Sequence, residues 1–231
     1  MKIAIISDIH GNHYALDAVL KEAQTLDVEH LFILGDFVGY YYHPEMVLQY
    51  LKDWSKDMIK GNHEILLKDA YKNREISEKI IKKYGHGIEL ALEKLPTKTL
   101  IDLIDLDIRK SVELDNIKFE LCHGSPWDVN LYIYPDSDIE TLQRCAVEGA
   151  DFVLMGHTHR HFVYYYNNLI IANVGSVGQN REKGGLASWV LLNTANQTIV
   201  FKHTPYSTSE LIEEIKIYDK DNRYLQDVLK R

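Results

Sequence analysis

Ile3-Ala4-Ile5-Ile6-Ser7, followed at once by Asp8-Ile9-His10, decides the fold. A short, unbroken apolar run reads as a strand buried on both faces, the signature of a parallel sheet. Its abrupt end in a carboxylate and an imidazole places polar side chains at the strand's carboxyl end. The same pattern recurs. Leu31–Leu34 reads as a second buried strand ending in Gly35-Asp36, and Met58–Lys60 as a third ending in Gly61-Asn62-His63-Glu64. The strand pattern Ile117–His123 ends in His123-Gly124, and Phe152–Met155 ends in Gly156-His157-Thr158-His159.

Between these runs the pattern turns helical at Ala15–Ala23 and at Pro44–Lys52, which indicates βαβ units. Ile76–Leu95 reads as helix broken near Gly85 and Gly87. Arg109–Leu114 and Ile117–His123 form a hairpin about Asp115-Asn116, and a helix is expected near Ile139–Val147. The remaining strands are Phe162–Tyr166, Leu169–Val174, Ser188–Leu192 and Thr198–His203. Two mixed β-sheets stacked face to face and flanked by helices bury all of these runs, a four-layer αββα sandwich. The chain reads as a single domain over residues 1–231, with Ser209–Arg231 as a helical C-terminal tail.

Composition is that of an ordinary globular protein: 231 residues, 45% hydrophobic and 26% charged. No apolar run approaches the roughly 20 residues that cross a bilayer, and no signal peptide is legible at the N-terminus, so the expected location is cytoplasmic. Cys122 and Cys145 are too few for a disulfide framework and read as free thiols. A formal net charge of −8 argues against long nucleic acids as partners. A phosphorylated substrate then requires something at the site that reverses the local sign.

Metal ions can do so. In sheets with parallel strands, ligands bind beyond the carboxyl ends of the strands, where five clusters here deliver Asp, His and Asn. Mixed nitrogen and oxygen donors without thiolate suit Mn²⁺, Fe or Zn²⁺, with Mn²⁺ favoured. Asp36, with two carboxylate oxygens, is able to bridge two ions. Two such ions clamp a phosphoryl group and turn bridging water into hydroxide.

The ordered set Asp8-Ile9-His10, Gly35-Asp36, Gly61-Asn62-His63-Glu64, His123 and Gly156-His157-Thr158-His159 resembles the calcineurin-like metallophosphoesterases. That resemblance implies the αββα sandwich and two divalent metal ions. It places Asp8, His10, Asp36 and His159 around the first ion, and Asp36, Asn62, His123 and His157 around the second. It gives His63 the role of proton donor to the departing oxygen. Glu64 is expected to fix its loop. Arg181, after the glycine-rich run Gly175–Gly178, either holds a substrate phosphate or is a solvated surface arginine. Tyr40, among Tyr40–Tyr42, and Trp127, with Tyr132 and Tyr134, either rim the pocket or plug a core or dimer contact.

Within the superfamily, Asp36-Phe37-Val38-Gly39-Tyr40 lacks the Arg-Gly ending of protein phosphatases, and the small prokaryotic phosphodiesterase branch fits best. Phosphodiesters are therefore the expected substrates. Dinucleoside tetraphosphates and phosphomonoesters stand as alternatives, and a non-catalytic scaffold as the reading from another class. The expected partner is a small phosphorylated molecule, with a nucleotide among the candidates and no membrane; a homo-oligomer is left open.

Overall fold

The computed structural model describes residues 1–231. β1 (Lys2–Ile6) pairs in parallel with β2 (His30–Ile33), and β2 in parallel with β3 (Lys56–Met58). Helices α1 (His13–Thr25) and α2 (Pro44–Leu51) lie in the crossovers. The other edge of β1 pairs antiparallel with β9 (Leu186–Asn193), and β9 with β10 (Thr198–Pro205). The second sheet runs β4 (Arg109–Leu114), β5 (Ile117–Cys122), β6 (Phe152–Met155), β8 (Leu169–Val174), β7 (His161–Tyr166). There β5, β6 and β8 are mutually parallel and the edge strands antiparallel. Both sheets are mixed and five-stranded.

Strand alternation sorts the core. Ile3 and Ile5 face inward with Phe32 and Leu34, where they meet Phe119, Leu121, Phe152 and Leu154 of the second sheet. Ala4, Ile6, Leu31 and Ile33 face outward and pack under residues of α1 and α2. On the far side, Cys122, Val153, Met155 and Ile171 are covered by Leu142 of α7 (Ile139–Arg144) and by Cys145. Each fully buried Leu, Ile or Phe contributes about 1.5–3 kcal/mol through this burial. The four layers are those expected, and both cysteines are free and buried.

The differences are local. β3 begins earlier than its apolar residues suggest, because pairing with β2 in register, Leu31 to Lys56 and Ile33 to Met58, defines it. α3 (Asn62–Asn73) starts inside the Gly61-Asn62-His63 cluster. The Ile76–Leu95 stretch forms α4 (Glu78–Tyr84) and α5 (Gly87–Lys94), broken at Gly85, whose φ is +73°. α6 (Thr97–Ile104), directly after Pro96, was not expected. No helix is long and apolar enough to cross a membrane.

The tail folds as α8 (Ser209–Tyr218) and α9 (Arg223–Leu229). Leu211, Ile215, Leu225, Val228 and Leu229 form one buried cluster with Tyr40, Tyr41 and Tyr42. Polar contacts fasten it. The Tyr14 hydroxyl donates to Glu214 at 2.8 Å, and His43 pairs with the same carboxylate at 2.8 Å. The Tyr42 hydroxyl donates to Asp219 at 2.9 Å. The tail thus reaches the loop that follows Asp36.

Candidate metal centre

Each strand named in the sequence delivers its polar residues to one place. Ligand atoms of Asp8, His10 and His159 lie within 4.8 Å of one another, as do those of Asp36, His123 and His157. A third group, His10, Asp36 and His63, joins the two. Asn62 completes the set, with Oδ1 3.1 Å from Nε2 of His123. All eight side chains are buried.

The hydrogen bonds around the imidazoles define what the centre accepts. A carbonyl oxygen can only accept, so the ring nitrogen facing one carries the hydrogen. Nδ1 of His10 donates to Val38 O at 3.1 Å, Nδ1 of His123 to Leu34 O at 2.6 Å, and Nδ1 of His159 to Gln179 O at 2.6 Å. In His157 it is Nε2 that donates, to Asn130 O at 3.1 Å. This is the backbone support typical of metal-bound histidines. It turns bare lone pairs inward. Nε2 of His10 lies 3.2 Å from Nε2 of His159, which lies 3.3 Å from Oδ1 of Asp8. Nε2 of His123 lies 3.3 Å from Oδ2 of Asp36. Asp8 Oδ1 is buried without a hydrogen-bond partner.

Acceptors aimed at acceptors in a buried space repel unless a cation lies between them. Burial pushes the His157 and His159 imidazoles down to about 4, which keeps their lone pairs free. Burial alone would also lower His123, but the Asp36 carboxylate reverses that and lifts it to about 10. Without metal, a proton there stands in for the cation. The donor set therefore fits divalent ions.

The backbone is bent to make this possible. Asp8, His10, Asp36, His157 and His159 all take left-handed φ, between 53° and 69°. Such a conformation costs a non-glycine residue about 1–3 kcal/mol and clusters at functional sites. Glu64 fastens one of these loops. Its carboxylate accepts from the backbone N–H of Asp36, Phe37 and Gly61 at 2.8 Å each, and from that of Val38 at 3.2 Å.

Residues 1–197 match the calcineurin-like phosphoesterase superfamily domain. This chain belongs to that superfamily. Divalent-metal binding and phosphoester hydrolysis are the chemistry of the family, and the centre just described has the donors for it. A relative from Methanocaldococcus jannaschii, an uncharacterized protein, is 29% identical, with 92% of this chain and 91% of that one covered. Two solved structures share the fold. A hypothetical protein from Pyrococcus horikoshii superposes with a TM-score of 0.86 at 20% identity, covering 100% of this chain and 98% of that one. A metallophosphoesterase from Sphaerobacter thermophilus superposes with a TM-score of 0.79 at 24% identity, covering 99% and 98%.

In this phosphoesterase, His63 stands apart from the lone-pair pattern. Its N–H backbone donates to Oδ1 of Asp36 at 2.8 Å, and its Nε2 lies 4.0 Å from Oδ2 of Asp36. Nδ1 is buried with no partner. Packing orients the ring instead: His10, Tyr84 and Tyr40 ring centroids lie 4.6, 4.8 and 5.1 Å away. Nothing in the sequence marks Tyr84 except its place beside the helix-breaking Gly85. Gly39 closes the clamp. Its φ is +89°, and a Cβ there would lie 2.0 Å from Nδ1 of His63. Gly39→Ala is expected to keep the fold and the metal ligands yet lower kcat by about 10² or more through displacement of His63. Turnover and metal content of the purified variant check this; unchanged turnover would refute the clamp.

The expected rim residues separate. Tyr40 is buried, packed edge-on against His10 at 4.6 Å. Arg181 is not a free surface arginine: it is half-buried, with Nη2 3.4 Å from both the Tyr40 hydroxyl and His159 Nε2. Trp127 lies with the Arg144 guanidinium over its ring at 4.2 Å, so that face is occupied. Tyr132 takes the place at the centre, its ring 4.0 Å from that of His157 and 41% exposed. Two surface hollows of about 590 and 550 Å³, beside Glu120 and beside Asp219, hold none of the ligands, so volume does not locate this site.

Proposed function

We propose that the chain is a two-metal phosphodiesterase acting on small phosphodiesters, nucleotides among them. The observation that carries the reading is the inward-facing set of imidazole nitrogens and carboxylate oxygens, which needs positive charge between its members. Asp8, His10, Asp36 and His159 hold one ion in this reading, and Asp36, Asn62, His123 and His157 the other, with Mn²⁺ favoured. Bound there, two divalent ions would supply positive charge to the phosphoryl oxygens and lower the pKa of a water molecule.

The chain's own residues do the rest. Arg181 orients the phosphate: its guanidinium fork matches two phosphoryl oxygens, and its Nε is buried and unpartnered. His63 is the proton donor to the leaving oxygen in this reading. Burial pushes the free imidazole down to about 3, so it is neutral before substrate arrives, and it is the anionic phosphate against Nε2 that brings the proton to it. Exposed Tyr132 beside His157 leaves room and an aromatic face for a second ester arm, which supports diesters over simple monoesters.

The Mn²⁺-loaded protein is expected to hydrolyse bis(p-nitrophenyl) phosphate faster than p-nitrophenyl phosphate, which shares its leaving group; the reverse order would sink the diester reading. His63→Ala should keep both ions and lose about 10² to 10⁴ in turnover on esters with poor leaving groups. The loss should shrink for p-nitrophenyl esters, whose anion leaves without a proton. Equal losses on both would assign His63 to phosphate positioning rather than proton transfer.

A further inference from the structure

A cavity of about 430 Å³ lies against the metal centre, lined by Arg160, Arg181, Arg231, Tyr134, Tyr224 and Asp136 among others. Two bridges connect it to the candidate ligands. Arg181 reaches from its wall to within 3.4 Å of His159 Nε2. Tyr134 stacks on Tyr132, centroids 5.9 Å apart, and Tyr132 lies against His157.

Its charge is opposite to that of the protein. The net charge is −8, yet three guanidiniums meet here against one acidic side chain, Asp136. Acidic partners are not in short supply on this chain, and still Arg109 is the one arginine that forms an ion pair. Arg160 and Arg231 are exposed and Arg181 is half-buried, so an anion entering the hollow meets three guanidiniums that no carboxylate neutralises. Arg231 is also held in place, since its Nη1 donates to Arg181 O at 2.8 Å and its guanidinium lies 5.9 Å over the Tyr224 ring, while Arg160 lies 6.0 Å over the Tyr134 ring. An anion arriving there has less side-chain freedom to quench.

Tyr224 and Arg231 come from the C-terminal tail, beyond the residues 1–197 that match the superfamily domain. The Tyr224 hydroxyl lies 3.3 Å from Oε1 of Gln179, the residue whose carbonyl supports His159. The tail thereby supplies one wall of the cavity.

We propose that this cavity is a subsite for a second phosphate of the substrate, so that the preferred substrates are phosphoesters bearing a further phosphate group near the scissile one. The proposal rests on the reading of the adjacent centre as a phosphoesterase.

The test uses a matched pair, thymidine 5′-(p-nitrophenyl phosphate) and its 3′-phosphorylated analogue, with the Mn²⁺-loaded full chain. The scissile bond and leaving group are identical, so only the second phosphate differs. The phosphorylated ester is expected to show a higher kcat/KM by about ten- to a hundredfold, chiefly through KM. Arg160→Ala and Arg231→Ala should each cut that ratio several-fold within the same variant, which cancels any general loss of activity. Binding supplies a readout apart from turnover. By calorimetry, thymidine 3′,5′-bisphosphate should bind about tenfold tighter than thymidine 5′-monophosphate to the wild type, and no tighter to Arg231→Ala. A ratio near one in both experiments overturns the subsite. Tighter bisphosphate binding with no hydrolysis of either ester upholds the subsite and overturns the phosphodiesterase reading instead.

Discussion

Asp36→Asn is expected to empty both metal positions and to lower kcat/KM by about 10³ or more, with the fold retained. The reason lies in how the two carboxylate oxygens are engaged. Oδ1 accepts from the His63 N–H at 2.8 Å, while Oδ2 faces Nε2 of His123 at 3.3 Å and Nε2 of His10 at 3.6 Å. Those two imidazoles belong to different ligand groups, so Oδ2 stands between them. Asn preserves the shape and removes the charge. If its carbonyl turns to the His63 N–H, its amide points hydrogens into the place where cations are expected. If it turns the other way, the His63 N–H loses its acceptor and the His63 side chain shifts. Neither orientation serves both. Metal analysis, circular dichroism and the diester assay on one preparation decide the matter. Near-normal metal content and activity would refute the shared role of Asp36.

Glu64→Ala is expected to destabilise the protein by about 4 kcal/mol or more, a large share of the 5–15 kcal/mol that holds a typical domain together. The side chain touches no ligand lone pair. It satisfies four buried backbone N–H groups, at Asp36, Phe37, Val38 and Gly61. Leaving a buried donor unmade costs about 1–3 kcal/mol each, and alanine leaves all four. Water entering the space would offset part of that. Glu64→Gln is the gentler probe: it keeps the volume but sets an amide NH₂ against N–H donors. That variant should fold, lose a smaller part of the stability and bind metal less well, because the Asp36 loop shifts. Denaturant unfolding of the three proteins, with metal content beside it, measures both effects. An unchanged unfolding midpoint for Glu64→Ala would show that the loop is held by something else.

Much of the layout was legible because two signals are local. Apolar runs of strand length report burial, and Asp8, Asp36, His123 and His157 follow such runs within two residues. The Asp-x-His and His-x-His spacings are likewise written in the chain. α6 was lost because Leu95-Pro96 reads as the end of a helix, whereas Pro96 precedes the first turn of the next. β3 was placed too late because its half-buried residues carry no apolar pattern; only pairing with β2 defines it.

The identity of the candidate ligands, their order along the chain and the αββα layering were thus determined by the sequence alone. Tertiary structure decided which nitrogen of each imidazole faces inward. The groups that set it are the carbonyls of Leu34, Val38, Asn130 and Gln179, and every residue has a carbonyl, so no side-chain pattern announces them. It also decided that Tyr132 rather than Trp127 stands beside His157, that Tyr84 packs on His63, and that the tail brings Tyr224 and Arg231 to the cavity. These are meetings between residues far apart in the chain. Their cause is the docking of α9 and the turns of the His123 loop, and such packing depends on shapes that exist only once both surfaces have formed.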